Sequence, residues 1–209
     1  LKPTTDIPVP ATETEPSGRR EEILDVATAM FAANGFAETD TQAIVEKLQV
    51  GKGTLYRYFP SKRDLFLATV DRVMRCLRSR VESTIADVED PMERLALGIR
   101  TFLTFFSEHP EFVELIVQER ALFKDRKKPT YFVLRENHVK KWQEVYRTLI
   151  AQGRLRDMPV ERISDVVGSV LYGTMFLNYF AGQTKSSEEQ AKDILDVILN
   201  GILSPSERR

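Results

Sequence analysis

The stretch TQAIVEKLQVGKGTLYRYFPSKR, residues 41–63, reads as a short helix, a tight turn and a second short helix. Ile44, Val45 and Leu48 recur at i, i+1 and i+4, and Leu55 and Phe59 at i and i+4. Each segment therefore carries one apolar stripe, and the two stripes pack together. With Leu55 and Phe59 turned inward, Lys52, Thr54, Tyr56, Arg57 and Tyr58 fall on the rim and outer face of the second helix. From Lys47 to Arg63 there are five Lys or Arg and no Asp or Glu, in a chain whose formal net charge is -1. A helix-turn-helix places such positions in the major groove of DNA, where Lys and Arg reach guanine O6 and N7 and hydroxyls bond bases or phosphates. Gly51 and Gly53 let the backbone approach a duplex closely, while weakening the first turn of their helix.

Outward from this stretch, residues 20–66 resemble the DNA-binding domain of the tetracycline-repressor (TetR) family of bacterial one-component regulators. The resemblance rests on Arg20, Ile23, Leu24, Ala27, Phe31, Gly35 and Phe36 in a first helix. It continues through Ile44, Val50, Gly53, Thr54, Leu55, Tyr56, Phe59 and Lys62, about a quarter of the chain. It implies base-facing roles for Gln42, Lys52, Thr54 and Arg57, phosphate-facing roles for Thr41, Tyr56, Tyr58 and Lys62, and close backbone approach at Gly53. Two departures stand out. Val45 replaces the usual alanine, and Gln49 stands where a turn glycine is usual, in a backbone conformation easier for glycine.

The chain has 209 residues, 42% of them hydrophobic and 29% charged, which allows a small head and a larger body with its own core. Cys76 is the single cysteine, so no internal disulfide forms; a packing role, buried or half-buried, and a reducing, cytoplasmic setting are expected. Residues 1–17, rich in Pro, Thr and Glu, read as a disordered tail and not as a secretory signal. Residues 18–64 form the DNA-binding domain, and 65–204 a helical effector-binding and dimerisation domain.

In the body, Ser61 with Asp64, Asp90-Pro91 with Glu93, and Ser186 with Glu189 read as helix starts, and Pro110, Pro129 and Pro159 as boundaries. No strand-like alternation persists, so the fold class is all-α, with a long fourth helix from about Lys62 to Asp87 joining head to body. Between Val166 and Thr184 no charged residue appears. That length approaches a membrane span, but Gly168, Ser169, Gly173, Thr174, Asn178 and Gly182 argue instead for a soluble helix buried on nearly every side. A last helix around Glu189 to Leu203 is likewise too apolar for one stripe. The two helices are expected to form a four-helix homodimer interface, with Gly168 and Gly173 permitting close approach. A two-fold dimer reads an inverted-repeat operator on double-stranded DNA.

Aromatic residues of the body, Phe102, Phe106, Phe112, Trp142, Tyr146, Tyr172 and Phe176, are candidates to enclose a small apolar effector, since ligand pockets are mostly apolar. His109 and His138 read as capping or surface residues, and the basic run Lys124 to Lys128 as solvated surface or a mobile connection. The function expected is a DNA-binding regulator, a repressor released by that effector. The alternatives are a regulator that needs no effector or answers to a protein partner, and a helical-bundle enzyme. With two histidines, one cysteine and no Glu-x-x-His pair, the chain offers little for a metal or cofactor site, and none is expected.

Overall fold

The computed structural model of the chain describes residues 16–201, which form nine helices and no strand. Most of the expected tail lies outside the described residues, as do Ile202 and Leu203 of the last helix. Pro16 and Ser17, assigned to the tail from sequence, already belong to the first helix.

The head is α1 (Pro16–Glu38), α2 (Thr41–Lys47) and α3 (Lys52–Tyr58). Ile23, Leu24, Ala27 and Phe31 form one stripe of α1, fully excluded from solvent, and the helical path breaks at Gly35, where φ is 78°. Asp40 caps α2 by accepting from the Gln42 amide at 2.8 Å. Its other end closes as a Schellman turn: Val50 N–H donates to the Val45 carbonyl and Gln49 N–H to that of Glu46, both at 3.0 Å. That geometry puts Gln49 at φ 54°, the sole non-glycine with positive φ among the described residues, as the departure from glycine in the sequence suggests. A side chain in this region costs about 1–2 kcal/mol, and glycine gives back about 0.5–1 kcal/mol through its greater freedom when unfolded. Gln49→Gly is therefore expected to raise stability by about 0.5–1 kcal/mol, read as a higher urea midpoint at unchanged slope. A lower midpoint would mean that the turn does not hold this residue left-handed.

The body comprises α4 (Lys62–Ile85), α5 (Pro91–Glu108), α6 (Pro110–Leu122), α7 (Thr130–Ala151), α8 (Val160–Ala181) and α9 (Ser187–Asn200). The starts read from sequence have their caps: Ser61 accepts from the Asp64 amide, Asp90 from Met92 and Glu93, and Ser186 with Glu189 forms a reciprocal capping box. At about 1.5 Å per residue α4 is roughly 36 Å long. Its first half buries Leu65, Phe66, Val70 and Val73 in an apolar cluster shared with α1, α2, α3 and α6, and a second cluster joins α5, α7, α8 and α9. Head and body thus meet through continuous hydrocarbon.

The N-terminus of α7 is capped from a distance. Pro129 has no side-chain acceptor to offer, and Glu119 of α6, 1% exposed, accepts from the Thr130 amide at 2.9 Å, from its hydroxyl at 2.8 Å and from Arg126. The run from Lys124 to Lys128 is therefore not all solvated surface. Arg126 neutralises a buried carboxylate, and Phe123 beside it is buried. Cys76, expected to pack inside, is exposed on α4. Gly168 does not lie at an open contact face: a Cβ there would come within 2.6 Å of Arg135 on α7, whereas Gly173 has open space around it. Val166, Leu177 and Phe180 of α8 and Val197 and Leu199 of α9 remain exposed, Leu177 and Phe180 at 67% each. No helix among the described residues is long and apolar enough to cross a membrane.

Candidate nucleic-acid interface and cavity

The outer surface of the head is built on α2 and α3. Leu55 and Phe59 are buried at 1% and 3% and fix the rotation of α3, which leaves Lys52, Gly53, Tyr56 and Arg57 exposed and Thr54 and Tyr58 half-buried. Lys47, Lys52 and Arg57 make no ion pair with any described residue, so their charge is free for a polyanion. The Arg57 guanidinium lies 5.2 Å from the Tyr58 ring centre, which limits its swing without neutralising it. Thr41 is buried, and its hydroxyl lies 3.2 Å from that of Tyr56, tying α2 to α3. Gln42 is half-buried, its amide donating to Glu46 at 2.8 Å. Around Gly51 and Gly53 nothing lies within 4 Å of a built Cβ, so no intramolecular contact demands glycine there.

Two of the five basic residues read from this stretch are occupied within the chain. Arg63 pairs with Asp125 at 2.5 Å. The Lys62 ammonium donates to the Ala37 carbonyl at 3.0 Å and stands 4.8 Å above the Phe36 ring, stapling the start of α4 to the end of α1.

The body contains a cavity of about 630 Å³ walled by α4, α5, α7 and α8. Of the aromatic candidates it brings together Phe102, Trp142 and Tyr146. The outer edge of the Trp142 indole comes up against α5 because residue 98 is glycine; a Cβ there would come within 2.3 Å of it. Phe106 and Phe112 do not reach the cavity. They pack with Phe105 at 5.2 and 5.7 Å in the hydrocarbon between α5 and α6. Tyr172 borders a separate recess of about 40 Å³, and Phe176 sits between Tyr172 at 4.5 Å and Phe180 at 5.8 Å. Sequence reasoning missed the aliphatic wall, Leu77, Val81, Ile99 and Leu171, and the charged side chains Arg78, Glu82, Arg94, Arg135 and Lys141. It also put His138 on the surface, whereas the residue lines the cavity 3.5 Å from Arg78. Burial first, then the Arg78 charge, holds this imidazole below its usual pKa, with Glu82 pulling the other way. His109, by contrast, sits at the α5–α6 junction as expected of a capping residue.

Two routes join body to head, and the first begins at the cavity wall. The second half of α4 supplies Met74, Leu77, Arg78, Val81, Glu82 and Ile85 to the cavity, while its first half packs on α1. A hydrogen-bond chain also runs from α8 through α6. Tyr179 donates to Glu114 at 2.5 Å, Gln118 donates to Glu114 at 2.8 Å, and the Phe36 amide of the head donates to Gln118 at 2.7 Å. The Glu114 bond pushes the Tyr179 hydroxyl pKa up to about 12.

Comparison with known proteins agrees with this geometry. Residues 23–69 match the family model described as bacterial regulatory proteins, tetR family. The nucleoid occlusion factor SlmA of Vibrio vulnificus is 28% identical over 112 residues, 53% of this chain; the chain spans 57% of the length of that relative. The HTH-type transcriptional repressor KstR2 of Mycolicibacterium smegmatis is 25% identical over 199 residues, 92% of this chain and 95% of the other. The crystal structure of the TetR-family transcriptional regulator PfmR from Thermus thermophilus superposes with a TM-score of 0.67 at 25% identity, over 87% of this chain and 99% of PfmR. Residues 23–69 thus carry the signature of the TetR family of bacterial regulatory proteins, and the helical body behind them is similar in fold to that of a TetR-family regulator.

Proposed function

We propose that the chain is a sequence-specific DNA-binding repressor that acts in the cytoplasm as a two-fold homodimer and leaves its operator when a small, largely apolar molecule enters the body cavity. The observation that carries this reading is the outer face of α3, where Lys52, Tyr56 and Arg57 are exposed around a buried Leu55 and two of them carry unpaired positive charge. Lys52, Thr54 and Arg57, with Gln42 on α2, are the groups proposed to face base edges. Thr41, Tyr56 and Tyr58 are proposed to hold phosphates, with the backbone at Gly53 coming close. Lys62 fits that role only if it gives up its bond to Ala37. The name of KstR2 favours repression over activation.

The apolar side chains left exposed on α8 and α9 are proposed to meet their copies in a partner. The two reading helices then address two half-sites related by a dyad. A ligand in the cavity changes DNA affinity only by the difference in its affinity for the two arrangements, typically about 1–3 kcal/mol. Rotation of α4 and rupture of the Tyr179–Glu114–Gln118–Phe36 chain are the movements proposed to transmit that difference. A cavity of about 630 Å³ favours an effector-controlled regulator over one that needs none, because an idle body has no call for so large a hollow. KstR2 and PfmR, named above, are described as regulators, so an enzyme is not proposed.

Selection of bound fragments from random-sequence DNA tests the reading. The expected product is one motif with internal two-fold symmetry. No enrichment, or an unsymmetrical motif, would contradict a dimeric reader.

A further inference from the structure

The cavity is apolar in its walls and unbalanced in its charges. Arg78, Arg94, Arg135 and Lys141 line it against the single carboxylate of Glu82. Glu82 is already engaged, 2.5 Å from Lys141 and 3.7 Å from Arg78. Those contacts hold its pKa below the usual range, with the Lys141 hydrogen bond as the largest cause, and it cancels only one of the four cations. Arg94 donates to the Val88 carbonyl in the connection before α5.

Arg135 is placed differently. Its guanidinium lies across α8 at Gly168, where a Cβ would come within 2.6 Å of Nη2 and 2.8 Å of Nε, so only glycine leaves room for it. Its hydrogen bonds within the chain are two long ones from Nη2 alone, to the Ser164 carbonyl at 3.4 Å and to Asp165 at 3.3 Å. The Asp165 side chain is 76% exposed, whereas that of Arg135 is 31% exposed. A guanidinium carries five N–H donors in a planar fork matched to a carboxylate or a phosphate. Most of that fork has no partner among the described residues, on a side chain that lines both the large cavity and the small recess beside it.

We infer that the cavity binds an amphiphile bearing one anionic group, a carboxylate or a phosphate. Its hydrocarbon lies against Ile99, Trp142 and Leu171, and its anion is held by Arg135. This assignment rests on the effector reading above and names the ligand class. A neutral hydrocarbon filling the same space would strip water from Arg135 and give nothing back, and a cationic amphiphile would meet a lining in which the cations outnumber the carboxylates that pair with them. Gly168 is thus the residue that makes the anion seat, by letting the guanidinium lie against α8.

The test is titration calorimetry of the full chain with dodecanoate, dodecyl phosphate and dodecanol, each below its aggregation concentration. In parallel, anisotropy follows release of the selected operator DNA. At least one acid should bind about ten- to a hundredfold more tightly than the alcohol, and the acid that does so identifies the anion. Arg135→Gln should remove most of that advantage while leaving dodecanol affinity within about twofold. Gly168→Ala should do the same with the arginine still present, and an unchanged circular dichroism spectrum checks that each variant is folded. Equal binding of acid and alcohol, acid affinity untouched by both variants, or binding of none of the three would overturn the assignment. Tight acid binding that depends on Arg135 but leaves operator affinity unchanged would uphold the anion seat and sink the effector reading instead.

Discussion

Phe66→Ala is expected to cost about 3–5 kcal/mol of stability, a large part of what holds a domain of this size folded. Phe66 is fully buried where three elements meet. Its ring packs edge-on against Phe31 of α1 at 5.1 Å and Phe36 at 5.3 Å, and tilted against Phe123 beyond α6 at 5.6 Å. Removing it deletes transfer free energy and leaves a cavity where three helices meet. Urea denaturation should show a much lower midpoint at unchanged slope. The loss falls on the joint proposed to carry movement from body to head, so the surviving folded protein should also respond less to any effector. A loss below about 1 kcal/mol would mean that the ring is not enclosed as described.

The second large effect concerns the last two helices. Leu177→Glu and Phe180→Glu introduce charge where α8 exposes apolar carbon, both positions being 67% exposed in the single chain. Within its own subunit Phe180 meets only the edge of the aromatic row at Phe176 and Tyr179, and both side chains are mostly solvent-exposed, so thermal stability measured at low concentration should change little. Across a dimer contact the same substitutions bury like charges near the two-fold axis, and the dimer should dissociate. With one head per molecule the second half-site no longer binds at high effective concentration, and operator affinity should fall by about 10²–10⁴-fold. Sedimentation velocity gives the oligomeric state and anisotropy the affinity. A variant that stays dimeric would place the interface elsewhere, and one that becomes monomeric yet binds the operator as before would sever dimerisation from recognition.

How far each feature was legible in the chain follows from the range of the interaction that makes it. Ser61, Asp90 and Ser186 could be read as caps because each acts within three residues of itself. Gln49 could be read as strained because the turn that needs a left-handed residue is local as well. The rotation of α3 followed from Leu55 and Phe59, and with it the outward direction of Lys52, Tyr56 and Arg57. Glu119 was not legible as the cap of α7, because it arrives from another helix 11 residues earlier. Gly168 was read as a contact between subunits, since a small residue announces a close approach without saying to what; the neighbour is Arg135. Phe106, Phe112 and Phe176 were read as candidates to enclose an effector from their aromatic character, which carries no information on whether the interior at that point is filled or hollow. Arg135 escaped notice and His138 was read as a capping or surface residue because charged and polar side chains are expected at the surface, and only the packing of four helices shows that these two border a cavity.

The central claim is that the outer face of α3 reads DNA, and fluorescence anisotropy on the selected inverted repeat tests it most directly, over a salt series and with Lys52→Ala and Arg57→Ala. The account predicts tight binding that weakens steeply as salt rises, through release of counterions from the phosphates. Each substitution should cost about 1–3 kcal/mol and relax the preference at one base position in each half-site. Binding that is weak, indifferent to sequence and unaffected by either substitution would contradict it.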